Sequence, residues 1–322
     1  MSTPHNVYIA RLLTDSVMEE VARIPECVCD VGEEAPPSRS ELLERVAGAD
    51  AAIVTLTEKI DDEFFDAAGP QLKVVANVAV GYDNIDIAAA KRRGIAITNT
   101  PGVLDGATAD HTFALILALA RRIVEADQFL RDGKQWVWGP RMFVGLDISA
   151  GATLGIVGFG RIGRAVAQRA RAFDMNVIAA DATLSTGDVI DGVTIHPLEE
   201  VLATSDIVTL HVPLLPSTTH LMNASTIEQM KKGSYLVNCA RGGVVDEKAL
   251  IAAIDNGHLA GAAIDTFEGE PQVNPELLTR PQIICTPHTA SAGEATRNRM
   301  GRLAVDNVLA VLAGREPLTP VG

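Results

Sequence analysis

The chain of 322 residues carries 27 Lys plus Arg against 41 Asp plus Glu, a formal net charge of −14. That acidity excludes a nucleic-acid binder, which needs a basic stripe to neutralise phosphates, and equally a polybasic membrane-surface protein. Hydrophobic residues at 47% and charged residues at 21% indicate a globular chain, and the length predicts two domains, each with its own core.

The opening MSTPHNVYIARL has no basic region leading into a long apolar stretch, so no secretory leader is expected. Phe113 to Ala120, the most apolar continuous run, falls far short of the roughly 20 residues a membrane span requires. Cys27, Cys29, Cys239 and Cys285 make no disulfide framework, and the lone C-x-C lacks a second pair at zinc spacing. A cytoplasmic protein without a metal is expected.

Short β-branched runs open the chain: Val7–Ala10, Ala51–Leu56, Lys73–Val80 and Ile95–Thr98. Helical patterns lie between them, as in SRSELLERVAG, where Ser40 is placed to cap and Leu42, Leu43 and Val46 share a face. Strands alternating with helices predict a parallel sheet covered on both faces. After Pro101-Gly102 one long helix is expected over ATADHTFALILALARRIVEADQFLRDG, then a loop through WVWGPRMFVGLDISAG. A second βα series starts at Thr153, and the chain closes with an amphipathic helix ended by Gly314. The fold class is therefore α/β, with two doubly wound parallel-sheet domains.

Gly158-Phe159-Gly160-Arg161-Ile162-Gly163 is a G-x-G-x-x-G set between an apolar strand and a helix, with Asp181 some twenty residues on. The pattern alone is weak, and the context makes it a dinucleotide site. Gly158 suits the tight turn, Gly160 the approach of a pyrophosphate, and Gly163 close helix–strand packing. The helix N-terminus at Arg161 and Ile162 offers free N–H groups. A carboxylate at Asp181 would accept from the adenosine ribose and repel a 2′-phosphate, favouring NAD (as NADH) over NADP.

Three polar residues follow apolar strands in this half: Arg241, Glu270 and His288. Ligands of open α/β sheets bind outside the carboxyl ends of the strands. An arginine can hold a substrate carboxylate or polarise the carbonyl, and an imidazole steadied by a carboxylate can protonate a carbonyl oxygen as hydride arrives at carbon. Carbonyl reduction is the chemistry these residue types suit.

GIVGFGRIGRAVA, LHVPLLPSTTHLMN, VNCARGGVVDEKAL, GAAIDTFEGEP and TPHTASAGEATR, in that order, resemble the D-isomer-specific 2-hydroxyacid dehydrogenases. VAVGYDNIDIAAAKRRGIAITNTPGVLDGATADHTFALILALARR resembles that family's first half. The resemblance implies Arg241, Glu270 and His288 as the catalytic triad and Asp265 near the nicotinamide carboxamide. Further cofactor contacts would be Thr108, His211, Val212, Pro213, Thr218, Cys239 and Ala240. A loop at Val80-Gly81 would receive the substrate carboxylate, with Leu56 lining the pocket. The family's architecture implies a flavodoxin-like substrate domain of residues 1–103 plus 289–322. A Rossmann NAD domain would span 104–288, with a dimerisation excursion near 125–150.

Trp136-Val137-Trp138-Gly139-Pro140 looks like the glyoxylate/hydroxypyruvate reductase branch, in which Trp138 would reach the partner subunit's site in a homodimer. The implied substrate is a small anionic 2-oxo acid. Other branches of the family, acting on D-lactate, D-3-phosphoglycerate or phosphite, and an NAD-sensing corepressor are the alternatives.

Overall fold

A computed structural model describes residues 4–321; residues 1–3, part of the segment read for a leader, and residue 322 lie outside it. The chain divides into two compact units, Met1–Leu104 with Ala292–Gly322, and Asp105–Ser291. Residues 289–291, expected with the first unit, fall in the second. The N–H groups of Thr289 and Ala290 donate to the carboxylate of the buried Asp265 at 2.8 and 3.0 Å, which ties this stretch to the second sheet.

The first unit is a five-stranded parallel sheet of β1 (His5–Ile9), β2 (Cys27–Val31), β3 (Ala51–Val54), β4 (Val74–Asn77) and β5 (Ala96–Thr98), in the order β2-β1-β3-β4-β5. That is the flavodoxin-like order. Helices α1 (Asp15–Val21), α2 (Arg39–Val46), α3 (Asp62–Ala68) and α4 (Ile87–Arg93) connect the strands, and the chain returns through a C-terminal helix, Glu294–Leu312. Ser38, not Ser40, caps α2: Ser38 is extended and its hydroxyl accepts from Glu41 N–H. Ser40 already lies inside the helix. Strand β4 stops at Asn77 although Val78 to Val80 stay apolar, because the chain turns there and the Asn77 amide binds the Gly81 carbonyl at 2.9 Å.

The second unit begins with two helices where one was expected, α5 (Asp105–Ala120) and α6 (Ile123–Arg131). The break is long-range in origin. Leu146 N–H donates to the Ala120 carbonyl at 2.8 Å, taking the helix end, and Arg122 adopts the left-handed region at φ 51. The sheet then forms from β6 (Thr153–Val157), β7 (Asn176–Ala180), β8 (Val189–Ile190), β9 (Val193–Ile195), β10 (Ile207–Leu210), β11 (Ser234–Asn238), β12 (Leu259–Ile264) and β13 (Ile283–Cys285). Its order is β13-β12-β11-β10-β6-β7-β9-β8, parallel except for the β8–β9 hairpin. Helices α7 (Arg161–Ala172), α8 (Leu198–Thr204), α9 (Ala224–Glu228), α10 (Glu247–Asp255) and α11 (Pro275–Leu278) connect these strands. Around β6 the order is the doubly wound nucleotide-binding pattern, which reverses direction between β6 and β10. Among the described residues no helix is long and apolar enough to cross a membrane, and no three His, Cys, Asp or Glu gather to hold a metal.

Candidate active site

Strand β6 runs into Gly158 at φ +95, where a Cβ would stand 2.6 Å from the His211 carbonyl carbon and oxygen. At Gly163 a Cβ would meet the Gly158 carbonyl oxygen at 2.2 Å, so only glycine lets α7 pack this closely on the turn. Gly160 is the N-cap of α7 and brings no side-chain cap, and a Cβ there would meet nothing within 4 Å. The space beside Gly160, at the start of α7 where first-turn N–H groups have no partner within the helix, fits a pyrophosphate.

Asp181 ends β7 beside this turn. One carboxylate oxygen accepts from Phe159 N–H at 2.8 Å, the other from the Thr183 N–H and hydroxyl at 2.9 and 2.7 Å. Burial pushes this carboxyl up, but those donors and the nearby Arg164 outweigh it and hold the group below the usual range. Asp181 is a fixed anion at neutral pH.

At the end of β10, His211 binds the Thr209 hydroxyl through Nε2 at 3.0 Å, and its Nδ1 is buried without a partner. Burial pushes its pKa down to about 3, so the ring is neutral and has no imidazolium proton to give. Val212 and Pro213 follow, and the Thr218 hydroxyl closes that loop on the Pro213 carbonyl at 2.6 Å. Thr108 is buried in α5, its carbonyl accepting from the Thr112 hydroxyl at 2.8 Å. Cys239 is buried with its thiol pushed up to about 12 by that burial, and Ala240 N–H donates to Asn238 at 3.0 Å.

Arg241, Glu270 and His288 follow β11, β12 and β13, three neighbouring strands at one side of the sheet. A Cβ at Gly242 would lie 1.9 Å from the Phe267 carbonyl carbon, so the turn after Arg241 presses directly on the loop that carries Glu270. One Glu270 oxygen accepts from Phe267 N–H at 2.9 Å and the other meets His288 Nδ1 at 2.8 Å. Burial raises the Glu270 carboxyl, but the His288 ring, Phe267 N–H and Arg241 together hold it below its ordinary value. His288 sits at φ 52, a left-handed conformation costly for a non-glycine residue and kept where the surroundings fix it. With Nδ1 engaged, Nε2 is the nitrogen available to a substrate oxygen.

Asp265 lies beneath this group, fully buried. It accepts from the Thr286 hydroxyl at 2.6 Å, and its carbonyl takes the His288 N–H at 2.8 Å. His111 on α5 stands 3.4 Å from the same carboxylate and 3.3 Å from Thr286. Neither His111 nor Thr286 was singled out as a site residue; a histidine opening the apolar face of a helix that packs on β11 and β12 was the available signal. In the first unit, Leu56 lies in the loop after β3, and Val80-Gly81 in the turn after β4. In the stretch 132–147 of the second unit, which holds no helix or strand, Trp136, Val137 and Trp138 are 55%, 90% and 76% exposed.

Residues 113–290 match the family described as "D-isomer specific 2-hydroxyacid dehydrogenase, NAD binding domain". The chain is 48% identical over 289 residues to a glyoxylate reductase of Korarchaeum cryptofilum, covering 88% of this chain and 86% of that one. Among solved structures, the TT0316 protein of Thermus thermophilus superposes with a TM-score of 0.92 at 44% identity, covering 98% of this chain and all of that one. An NADPH-dependent glyoxylate/hydroxypyruvate reductase of Sinorhizobium meliloti, solved with NADP and malonate, has a TM-score of 0.83 at 34% identity, covering 100% and 97% of the two chains.

Proposed function

The chain belongs to the D-isomer-specific 2-hydroxyacid dehydrogenases, and on that premise we propose that it reduces glyoxylate and hydroxypyruvate to glycolate and D-glycerate, using NADH. The observation that carries this reading is the His288–Glu270 contact of 2.8 Å beside Arg241, at the ends of three adjacent strands of a nucleotide-binding sheet. NADH, when bound, would supply the hydride for the carbonyl carbon. His288 Nε2 gives a proton to the carbonyl oxygen, and Glu270 fixes the ring through its contact with Nδ1. In the second unit Arg241 would bind the substrate; in the first, the Val80-Gly81 backbone would receive a carboxylate, and Leu56 in the neighbouring loop would limit the chain length. The glycine turn and the α7 N-terminus would hold the pyrophosphate, and Asp265 would serve the nicotinamide carboxamide.

NADH is favoured because the anionic Asp181 suits a ribose hydroxyl and repels a 2′-phosphate; the S. meliloti relative uses NADPH, so both coenzymes belong in the test. The exposed Trp136-Val137-Trp138 stretch supports a homodimer in which Trp138 reaches the partner's site, since apolar surface of this kind is normally covered. Four unpaired thiols accord with a cytoplasmic location.

The deciding assay is steady-state reduction of glyoxylate, hydroxypyruvate and pyruvate with NADH and with NADPH. Glyoxylate and hydroxypyruvate with NADH should exceed the other combinations in kcat/KM by about tenfold or more. Turnover of none of these acids would overturn the reading.

A further inference from the structure

Around the turn after β4 stands a set of amides, one fully buried and two half-buried, that the proposed chemistry leaves unused. Asn77, fully buried, donates through its side-chain nitrogen to the Gly81 carbonyl at 2.9 Å and to Asn84 Oδ1 at 3.3 Å. Asn99, just beyond β5, donates to the Val80 carbonyl at 2.7 Å. Two consecutive carbonyls, of Val80 and Gly81, are therefore each held by a carboxamide.

Both peptides are trans. In a trans peptide the C=O and the following N–H point in opposite directions. Pinning the Val80 carbonyl fixes the direction of Gly81 N–H, and pinning the Gly81 carbonyl fixes that of Tyr82 N–H. Asparagines with no reach to a ligand can in this way aim two successive backbone donors, the arrangement that receives an anion without a buried cation.

The amides are themselves held in place. Asn84 donates to the Thr55 and Glu58 carbonyls at 3.0 and 2.9 Å, joining this turn to the loop that carries Leu56. The Thr319 hydroxyl donates to the Asn99 carbonyl at 2.6 Å, and Asn307 of the C-terminal helix holds Thr319 by two further bonds of 2.9 and 3.0 Å. Asn77 Oδ1 is buried without a partner, which is unfavourable for a polar atom taken out of water. Exchanging its oxygen and nitrogen would set oxygen against both the Gly81 and Asn84 oxygens, so the donors face the turn. Such a residue is kept for what it donates.

We infer that Asn77 and Asn99 are the positioning residues of the substrate-carboxylate receptor, setting the Gly81 and Tyr82 N–H groups on which discrimination for a 2-oxo acid depends. The inference rests on the reading that Val80-Gly81 takes the carboxylate.

The test uses the full-length protein, Asn99→Ala, Asn99→Asp and Asn77→Ala. Oxalate, which carries the carboxylate and adjoining oxygens of a 2-oxo acid, is titrated calorimetrically in the presence of NAD. The ratio of kcat/KM for glyoxylate to that for its amide is then measured. Asn99→Ala should weaken oxalate about tenfold and lower the acid-to-amide ratio about tenfold, with the KM for NADH within about twofold of the parent. Asn99→Asp should lose more, because its carboxylate faces the Val80 carbonyl and adds charge beside the anion. A merely structural role would lower the melting temperature and active fraction while leaving the acid-to-amide ratio untouched. Asn77→Ala removes a fully buried group and can fail to fold, whereas Asn99 is half-buried and its variants decide alone. An unchanged oxalate affinity and ratio in Asn99→Ala, or a parent that binds no oxalate, overturns the inference. A parent that binds oxalate through Asn99 yet reduces no 2-oxo acid sinks the proposed activity and leaves the anion receptor standing.

Discussion

Around the carboxyl ends of β4 and β5 three amides, Asn77, Asn99 and, in the following turn, Asn84, hold backbone carbonyls. At the ends of β11, β12 and β13 they are an arginine, a glutamate and a histidine. Both sets lie where ligands of parallel sheets bind, so the difference lies in the task and not in the scaffold. A carboxylate that is only held keeps its charge throughout the reaction, so the fixed neutral dipoles of the first sheet can receive it without a titrating group. A carbonyl that becomes a hydroxyl needs a group whose own charge changes, and the Glu270–His288 pair supplies one. On the proposed reading the amide turn selects and the charged cluster reacts.

The sharpest way to break this contrast is His288→Gln. Glutamine can still hydrogen-bond an oxygen but has no acidic proton to give. At saturating NADH, kcat for glyoxylate reduction should fall about 10²–10⁴-fold, while the KM for glyoxylate moves far less. The Asn99 variants should show the opposite split, with the loss falling mainly on KM. Turnover within a few-fold of the parent in His288→Gln would put the proton chemistry elsewhere and erase the division between the sheets.

How legible each set was follows from the range of the forces behind it. The Gly158–Gly163 turn could be read because its constraints act within a few residues: a positive φ, and a carbonyl 2.2 Å from where a Cβ would stand. Arg241, Glu270 and His288 could be found because each follows an apolar strand, and the resemblance then gave them roles. Asn77 and Asn99 could not, since their partners are backbone carbonyls, which every sequence possesses. The division of α5 from α6 was hidden for a similar reason: Leu146 takes the Ala120 carbonyl from twenty-six residues away (146 − 120 = 26). Strand β2 lies outside the expected strands because only Val28 and Val31 of its five residues are β-branched.

A second, smaller effect tests charge at the other end of the cofactor. Asp181→Arg replaces an anion with a guanidinium suited to phosphate. The ratio of kcat/KM with NADPH to that with NADH should rise about 10-fold to 100-fold. NADH use should itself fall, because the Phe159 and Thr183 donors lose their acceptor. An unchanged ratio would show that the charge of Asp181 serves the turn alone, and selection by ionised groups in this sheet would then be confined to the reacting cluster.

His211 is the exception within the charged sheet, and it offers the finest test. Its pKa of about 3 lies below the ordinary histidine value of 6.5 because burial disfavours the imidazolium. Between these values the unfolded chain carries a proton that the folded chain does not. Stability is therefore complete above about pH 6.5 and declines as pH falls toward 3, with a slope of at most about 1.4 kcal/mol per pH unit. Glu270 and Asp181, both held below their ordinary values, titrate under most of that window. His211→Gln should keep a side-chain bond to Thr209 and remove the slope. Urea unfolding at pH 7 and pH 5 should show a loss smaller by about 1–2 kcal/mol in the variant than in the parent. Equal losses would mean that His211 takes up its proton in the folded state. It would then be a second charge-changing group beside the nucleotide turn, and the assignment of proton chemistry to His288 alone would fail with it.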